Sequence, residues 1–477
     1  MPLAGIRVVE IAGLPAAAYA ARLMADFGAE VVKIEPPEGD PERRRLPLID
    51  GHSAWFAYLN YGKKSVVPDA AAREALLANA DVLILSRDAD PGPSPAAAAI
   101  VARVDWFGPG PYRGYTCTDS ICRALAGAIH LTGPIEGPPL ALPDFQSGII
   151  GGLATFIPVM AALLARDATG GRTIDVSIHE ATVALSEYQA VEMRAGVVPR
   201  KRWGLNRFAP TYPLGIYPCR DGWLGVTIVT PVQWKAFCDL LGMPELGRHP
   251  DWTMGPDRLP KADALEARFL PRLREKTAAE WFALGLEHRL PFAIVPDMGE
   301  LLSMPVFRER GAIVPIDLGH RVVEAPGSPF HLTVTPPLPG GAVPRPGQHT
   351  LIDAAAPKAS RREHAGSPGD ASLPLRGLRV IDLSMGWAGP TVTRHLADMG
   401  ADIIKVEACG YPDWWRGVDN RAAVVEQMLY EKTLRFNIMN RNKRAITLDL
   451  TTSDGAALLK DLVRGADAVV ENYSADV

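Results

Sequence analysis

One stretch of this chain occurs twice, and that repeat limits the fold more than any other feature. "LAGIRVVEIAGLPAAAYAARLMADFGAEVVKIE", from Leu3 to Glu35, returns without a gap as "LRGLRVIDLSMGWAGPTVTRHLADMGADIIKVE", from Leu375 to Glu407. Gly5 matches Gly377, Asp26 matches Asp398, Gly28 matches Gly400, Lys33 matches Lys405 and Glu35 matches Glu407. The likeness continues in "NYGKKS" (60–65) against "NRNKRA" (440–445), and in "ANADVLIL" against "RGADAVVE". The spacing far exceeds the roughly 20–50 residues of a solenoid repeat, so it marks a duplicated domain.

Each copy reads as β-α-β. "IRVVEIA" is a continuous apolar strand, "AAAYAARLMADFG" an amphipathic helix ending at a glycine, and "AEVVKIE" a second strand. That alternation predicts a parallel sheet with helices on its faces. The first turn has no G-x-G-x-x-G, so the sheet is Rossmann-like but neither NAD nor FAD is expected. From about Tyr212 the pattern changes to two short strands around Arg220-Asp221-Gly222, followed by helical stretches in "PVQWKAFCDLLG" and "DALEARFLPRLREKTAAEWFALGLEH". These features predict an α/β large domain over 1–205, a small α+β domain over 206–330 and a return segment over 331–355. A Pro/Gly/Ala-rich linker over 356–374 then leads to a partial second large domain over 375–477. The half-copy stops before its sheet can close, so the chain is expected to be the leading part of a longer tandem protein. The alternative is a natural short form whose half-copy packs on copy one.

Hydrophobic residues are 47% and charged residues 22% of the 477, with net charge −4, the profile of a globular protein. No basic face interleaved with aromatics suggests nucleic acid. The cluster Arg43, Arg44, Arg45 reads as solvated. Five scattered cysteines argue for reduced thiols in the cytoplasm, none has zinc-ligand spacing, and no metal motif appears. The N-terminus lacks a signal-peptide pattern. The charge-free run Ser147 to Ala165 is long enough to cross a bilayer; with its glycines and Pro158 it reads instead as a buried helix, and no membrane partner is expected. Just before it stands Asp144, in "LPDFQSG". On residue type alone it is a helix N-cap, where aspartate is among the best residues.

The sequence resembles the class III CoA-transferases, the CaiB–BaiF family. The half-copy's opening motif, "NIMNRNKRAITLDL" and "ADAVVENYSADV" are similar to that family's signatures. In copy one, so are "VARVDWFGPGPYRGYTCTDSICRALAGAIHLTGPIEGPPLALPDF", "YPCRDGWLGVTI" and "TAAEWFALGLEHRLPFAIVPDMGELLSMPVFRERGA". The resemblance implies the class III fold, with a Rossmann-like large domain, a small α+β domain and two interlocked subunits. Here the partners would form a homo-oligomer or an intrachain pseudo-dimer. It implies coenzyme A and acyl-CoA as substrates, a small carboxylic acid as co-substrate, and transfer of CoA through an aspartyl-CoA intermediate. By the same resemblance the nucleophile is Asp144, followed in the family's order by Gly148, Arg166, Thr169, Gly170 and Asp175. The helix between Asp144 and Arg166 is about one turn longer than the family pattern, and an ungapped match puts Gly148 at the nucleophile position. CoA-binding candidates by motif are Arg43, Lys63 and Lys64 in copy one, and Lys443, Arg444, Glu471 and Asn472 in copy two. Copy one departs from the family at "ILSRDADPG" and in the shortened stretch before Ile100, so copy two is the expected CoA holder. A racemase of the same family would carry a histidine at Thr118, beside Asp119, and threonine cannot titrate. A non-catalytic acyl-CoA-binding pseudo-subunit is the alternative from another class.

Overall fold

The computed structural model describes residues 1–86, 89, 99–130, 132–141, 143–196, 202–350, 373–417 and 422–474. The expected linker lies outside these residues up to 372, as does nearly all of copy one's shortened stretch before Ile100. Two compact units form. One joins Met1–Ala126, Pro143–Tyr188 and Gly311–Val477; the other joins Gly127–Leu142 and Gln189–Arg310.

In the first unit the chain runs β1 (Arg7–Ile11), α1 (Pro15–Asp26), β2 (Glu30–Ile34), then a hairpin of β3 (Leu48–Ile49) and β4 (His52–Ser53). It continues through α2 (Ala54–Asn60), β5 (Lys64–Val66), α3 (Ala70–Ala78), β6 (Val82–Ser86) and β7 (Ile100–Asp105). Helices α4 (Asp119–Leu125) and α5 (Gln146–Thr169), strand β8 (Arg172–Ser177) and helix α6 (Ile178–Val183) follow, and α7 (Glu187–Arg194) begins in this unit and continues into the other. The six parallel strands lie in the order β5-β2-β1-β6-β7-β8. Strands covered on both faces must be apolar throughout, and Val8, Val9, Val31, Val32, Leu83 and Ile84 are fully buried. Proline opens α1, where its missing N–H costs nothing, and Gly28, at φ +94°, turns the chain back toward β2.

The expected mixed α/β fold with a parallel sheet is therefore present, and it is present a second time. The strands Arg444–Thr447, Asp402–Glu407, Arg379–Asp382 and Ala468–Val470 lie parallel in that order, matching β5-β2-β1-β6.

The apolar run forms α5, the one helix among the described residues long and apolar enough to cross a membrane. Protein covers much of it. Gly148 and Gly152 let α1 approach closely: a Cβ on Gly148 would meet Pro15 Cβ at 3.1 Å, and one on Gly152 the Ala16 carbonyl oxygen at 2.9 Å. Farther along, Ala161 joins the core of Leu375, Val380, Ala397, Ala401 and Ile403 from the second copy. At its end Arg166 is buried and paired with Asp81 at 2.9 Å. The second copy is also held by Glu187, which pairs with Arg394 and, at 3.7 Å, with Arg441.

In the other unit, Leu214–Pro218, Trp223–Thr227 and Phe292–Ile294 form an antiparallel sheet around the expected turn. The long helical stretch divides into Ala262–Leu273 and Ala278–Glu287, because Thr277 and Glu280 form a capping box that starts a new helix. Tyr212 is fully buried in this core with Trp234 and Phe237.

At the end of β1 in the first sheet lies a closed ionic cluster. Lys33 Nζ donates to Glu10 (2.7 Å), Asp40 (2.8 Å) and the Ala12 carbonyl (3.0 Å). Lys63 Nζ donates to Glu10 (2.7 Å), Asn60 (2.9 Å) and the Ala18 carbonyl (2.9 Å). An ammonium has three donors, so both lysines are fully satisfied. Burial works to raise the Glu10 pKa, but the two lysines outweigh it and hold it below the usual carboxylate range. Burial pushes Lys63 down to about 8 despite Glu10. Lys64, the next residue, faces the other way and pairs with partly exposed Glu30 at 2.8 Å. Breaking a buried pair costs about 3–5 kcal/mol, whereas a partly exposed one is worth about 0–1 kcal/mol. Lys63→Met should therefore destabilise the protein by about 3 kcal/mol in urea unfolding, and Lys64→Met by under about 1 kcal/mol. Equal losses would contradict the cluster.

Candidate active site

Asp144 lies in the loop two residues before α5, with its side chain 61% exposed. Its direction is therefore set by the loop rather than by a helix face, and the extra turn within α5 does not decide where it points. It does not cap α5 either. That place is held by Phe145, which contributes no side-chain cap. The first-turn amides go instead to Asp119, whose Oδ1 accepts from Ser147 N at 2.8 Å and Gly148 N at 3.4 Å. Gly148, the ungapped alternative, is buried against Pro15 and has no room for a carboxylate.

Helix α4 supplies the surroundings of Asp144. Thr118 caps α4 by accepting from Ile121 N at 3.4 Å, so the position a racemase would use serves the helix. One turn later Arg123, 2% exposed, binds Asp119 through Nε at 2.8 Å and reaches Asp144 Oδ1 with a terminal nitrogen at 3.4 Å. Ser120 Oγ donates to the same oxygen at 3.2 Å. Asp144 Oδ2 has no protein partner among the described residues. The result is a carboxylate gripped on one oxygen, open on the other, and close to the positive end of a 24-residue helix that favours negative charge. Burial pushes Cys117 up to about 11 and also raises Cys122, so neither nearby thiol competes as a nucleophile.

The other sequence candidates are dispersed. Arg43 binds both oxygens of Glu35 and the Pro344 carbonyl, and it lies over Phe56. Lys63 belongs to the closed cluster, and Lys64 stands at the start of its strand with Glu30. Lys443 repeats the role of Lys63, donating to Asp382 (2.9 Å), Asn440 (2.9 Å) and the Pro390 carbonyl (3.0 Å). Burial takes it down to about 8. Arg444 repeats Lys64 by pairing with Asp402 at 2.6 Å, and it is 65% exposed. Glu471 and Asn472 follow the Ala468–Val470 strand, where the strand order reverses and open α/β sheets bind ligands. There the Asn472 amide accepts from Met385 N at 3.0 Å and donates to Met385 O at 2.9 Å. Trp387, 42% exposed, stands at the same mouth, with Tyr188 packed edge-on against it at 5.3 Å.

Sequence reasoning missed Ser120, Arg123 and the capping role of Asp119. Asp119 and Arg123 are spaced i, i+4, a pairing pattern that the helix propensity of "DSICRAL" made available. The arginine cluster is also more engaged than solvation implied. Arg43 is paired, and Arg45 lies over the Phe145 ring.

The CoA-transferase family III sequence model matches residues 3–350 and 375–477. The chain is 30% identical over 488 residues to a probable CoA-transferase of Mycobacterium tuberculosis, covering 95% of this chain and 58% of that protein's length. It is 28% identical over 335 residues to the acetyl-CoA:oxalate CoA-transferase of Acetobacter aceti, covering 66% and 85% respectively. A CaiB/BaiF family protein from Brucella suis superposes with a TM-score of 0.64 at 25% identity, covering 74% of this chain and 98% of that one.

The capping arrangement is directly testable. Asp119→Ala should cost about 2 kcal/mol in thermal or urea unfolding, through the lost cap and the lost pairing with Arg123. Asp144→Ala should stay within about 0.5 kcal/mol. The reverse order would make Asp144 the cap.

Proposed function

The chain belongs to CoA-transferase family III, and from that premise we propose that it moves CoA from an acyl-CoA thioester to a free carboxylic acid, with Asp144 as nucleophile. The supporting observation is the exposed Asp144 carboxylate, held on one oxygen by Ser120 and Arg123 with the other oxygen open. Relatives named as oxalate and mesaconate CoA-transferases agree with acyl-CoA and small acids as substrates.

In this reading Asp144 Oδ2 attacks the thioester carbonyl carbon. The C–S bond breaks, CoA thiolate leaves, and a mixed anhydride joins Asp144 to the acyl group. The thiolate then attacks the aspartyl carbonyl, releasing the donor acid and leaving an aspartyl-CoA thioester. The acceptor carboxylate repeats the sequence in reverse, and Asp144 is regenerated. Two easier covalent steps replace one hard one. The Arg123 guanidinium stays fixed to Asp119 throughout, so it orients Asp144 without reorganising during reaction.

CoA itself is assigned to the crevice of the second copy, beside Glu471 and Asn472, with copy one supplying Asp144. Lys63 and Lys443, held by carboxylates and carbonyls at the strand ends, brace the sheets rather than meeting phosphates. Copy one has Ser86 where copy two has Asn472, so Asn472→Ser makes the second crevice like the first. Loss of its hydrogen bonds to Met385 should weaken CoA binding about tenfold by calorimetry, whereas unchanged affinity would move the site to copy one.

The chemistry is tested by incubating the protein with acetyl-CoA, succinyl-CoA and formyl-CoA, trapping with hydroxylamine and mapping the peptides by mass spectrometry. A hydroxamate on Asp144, absent in Asp144→Asn, is the expected result. CoA binding without a hydroxamate would leave a non-catalytic acyl-CoA-binding subunit.

A further inference from the structure

Phe145 has no part in the proposed chemistry. Its φ is +72° and its ψ 4°, a left-handed conformation that side chains other than glycine seldom adopt. Such residues persist where their surroundings fix them, and they concentrate at functional sites. The surroundings are plain here. Trp55, from α2, stacks on the Phe145 ring with centroids 3.5 Å and planes 30° apart. That indole takes one face and leaves the other to the Arg45 guanidinium, 4.5 Å from the ring centre. Phe145 is 8% exposed, although the adjoining Asp144 side chain is mostly in solvent. Its carbonyl already accepts from Ile149 N at 2.9 Å, so the helix begins immediately after the turn.

A right-handed conformation at 145 would extend α5 backwards and put Asp144 in the N-cap place. Its carboxylate would then accept first-turn amides, and an oxygen occupied by N–H donors is a poorer nucleophile. The left-handed turn prevents this, while Asp119 takes those amides instead. We propose that Phe145, clamped between Trp55 and Arg45, is a positioning residue that turns the Asp144 carboxylate away from its own helix and toward substrate. The proposal rests on the reading of Asp144 as nucleophile.

The test compares wild type, Trp55→Ala, Trp55→Phe and Arg45→Gln in the full chain. It follows CoA exchange kinetics and the rate of hydroxamate formation on Asp144, using acetyl-CoA or succinyl-CoA, whichever labels the wild type faster. A misplacement of about 1 Å can cost on the order of a hundredfold in rate. Trp55→Ala should therefore lower kcat and the labelling rate at least about tenfold with KM within about twofold, and Trp55→Phe should recover most of the loss. If Trp55→Ala fails to fold, Arg45→Gln carries the test, with a smaller fall in kcat at constant KM. Wild-type labelling of Asp144 that persists at full rate in both stack variants overturns this inference and leaves the nucleophile standing. A loss confined to KM, or one that Trp55→Phe does not rescue, also overturns it. A wild type that gives no hydroxamate on Asp144 removes the nucleophile, and the inference with it.

Discussion

Two lysines sharing one buried carboxylate underlie this structure. Glu10 accepts from Lys33 and Lys63, both at 2.7 Å, and Asp40 completes the set with a second contact to Lys33. Charges taken out of water are costly unless neutralised and hydrogen-bonded. Here two ammonium and two carboxylate groups balance, and carbonyl oxygens take the remaining protons. Because the carbonyls come from the ends of β1 and the first turn of α1, the cluster fixes how helix, strands and the α2 segment meet. The second copy builds a related cluster in which the two lysines bind different carboxylates, Lys443 to Asp382 and Lys405 to Asp413. The neighbouring arginine is repeated too: Arg43 binds Glu35 and lies 4.0 Å from the Phe56 ring centre, as Arg416 binds Glu407 and lies 3.7 Å from Phe436.

This explains what could be read from the sequence and what could not. The parallel sheet was legible because apolar runs and helical periodicity are local signals, and the matched Lys33/Lys405 and Glu35/Glu407 pairs already marked positions of fixed role. The fate of Lys63 was not. Lysines 63 and 64 are indistinguishable in composition, and adjacent residues entering a strand point to opposite sides. Only tertiary pairing over 53 residues, Lys63 to Glu10, decides which one is buried. The same holds for Asp144. Residue type favoured a cap, but Asp119, 28 residues before Ser147, reaches those amides first.

Around Asp144 the division of labour is physical rather than sequential. Arg123 pairs with Asp119 and reaches Asp144 with the same planar group, so helix start and carboxylate share one anchor. A guanidinium suits this task because its donors are fixed in a plane and its charge does not titrate. Asp144 thus keeps its exposure while its backbone neighbours are held by a buried framework.

Helix α5 belongs to two cores. Its glycines admit α1 at one end, and Ala161 closes an apolar cluster of the second sheet toward the other. Opening the second sheet would therefore uncover Ala161 of a helix that also packs against α1 and the first sheet. The segment that follows Asp144 thus supplies part of the apolar cover of a sheet encoded more than two hundred residues downstream.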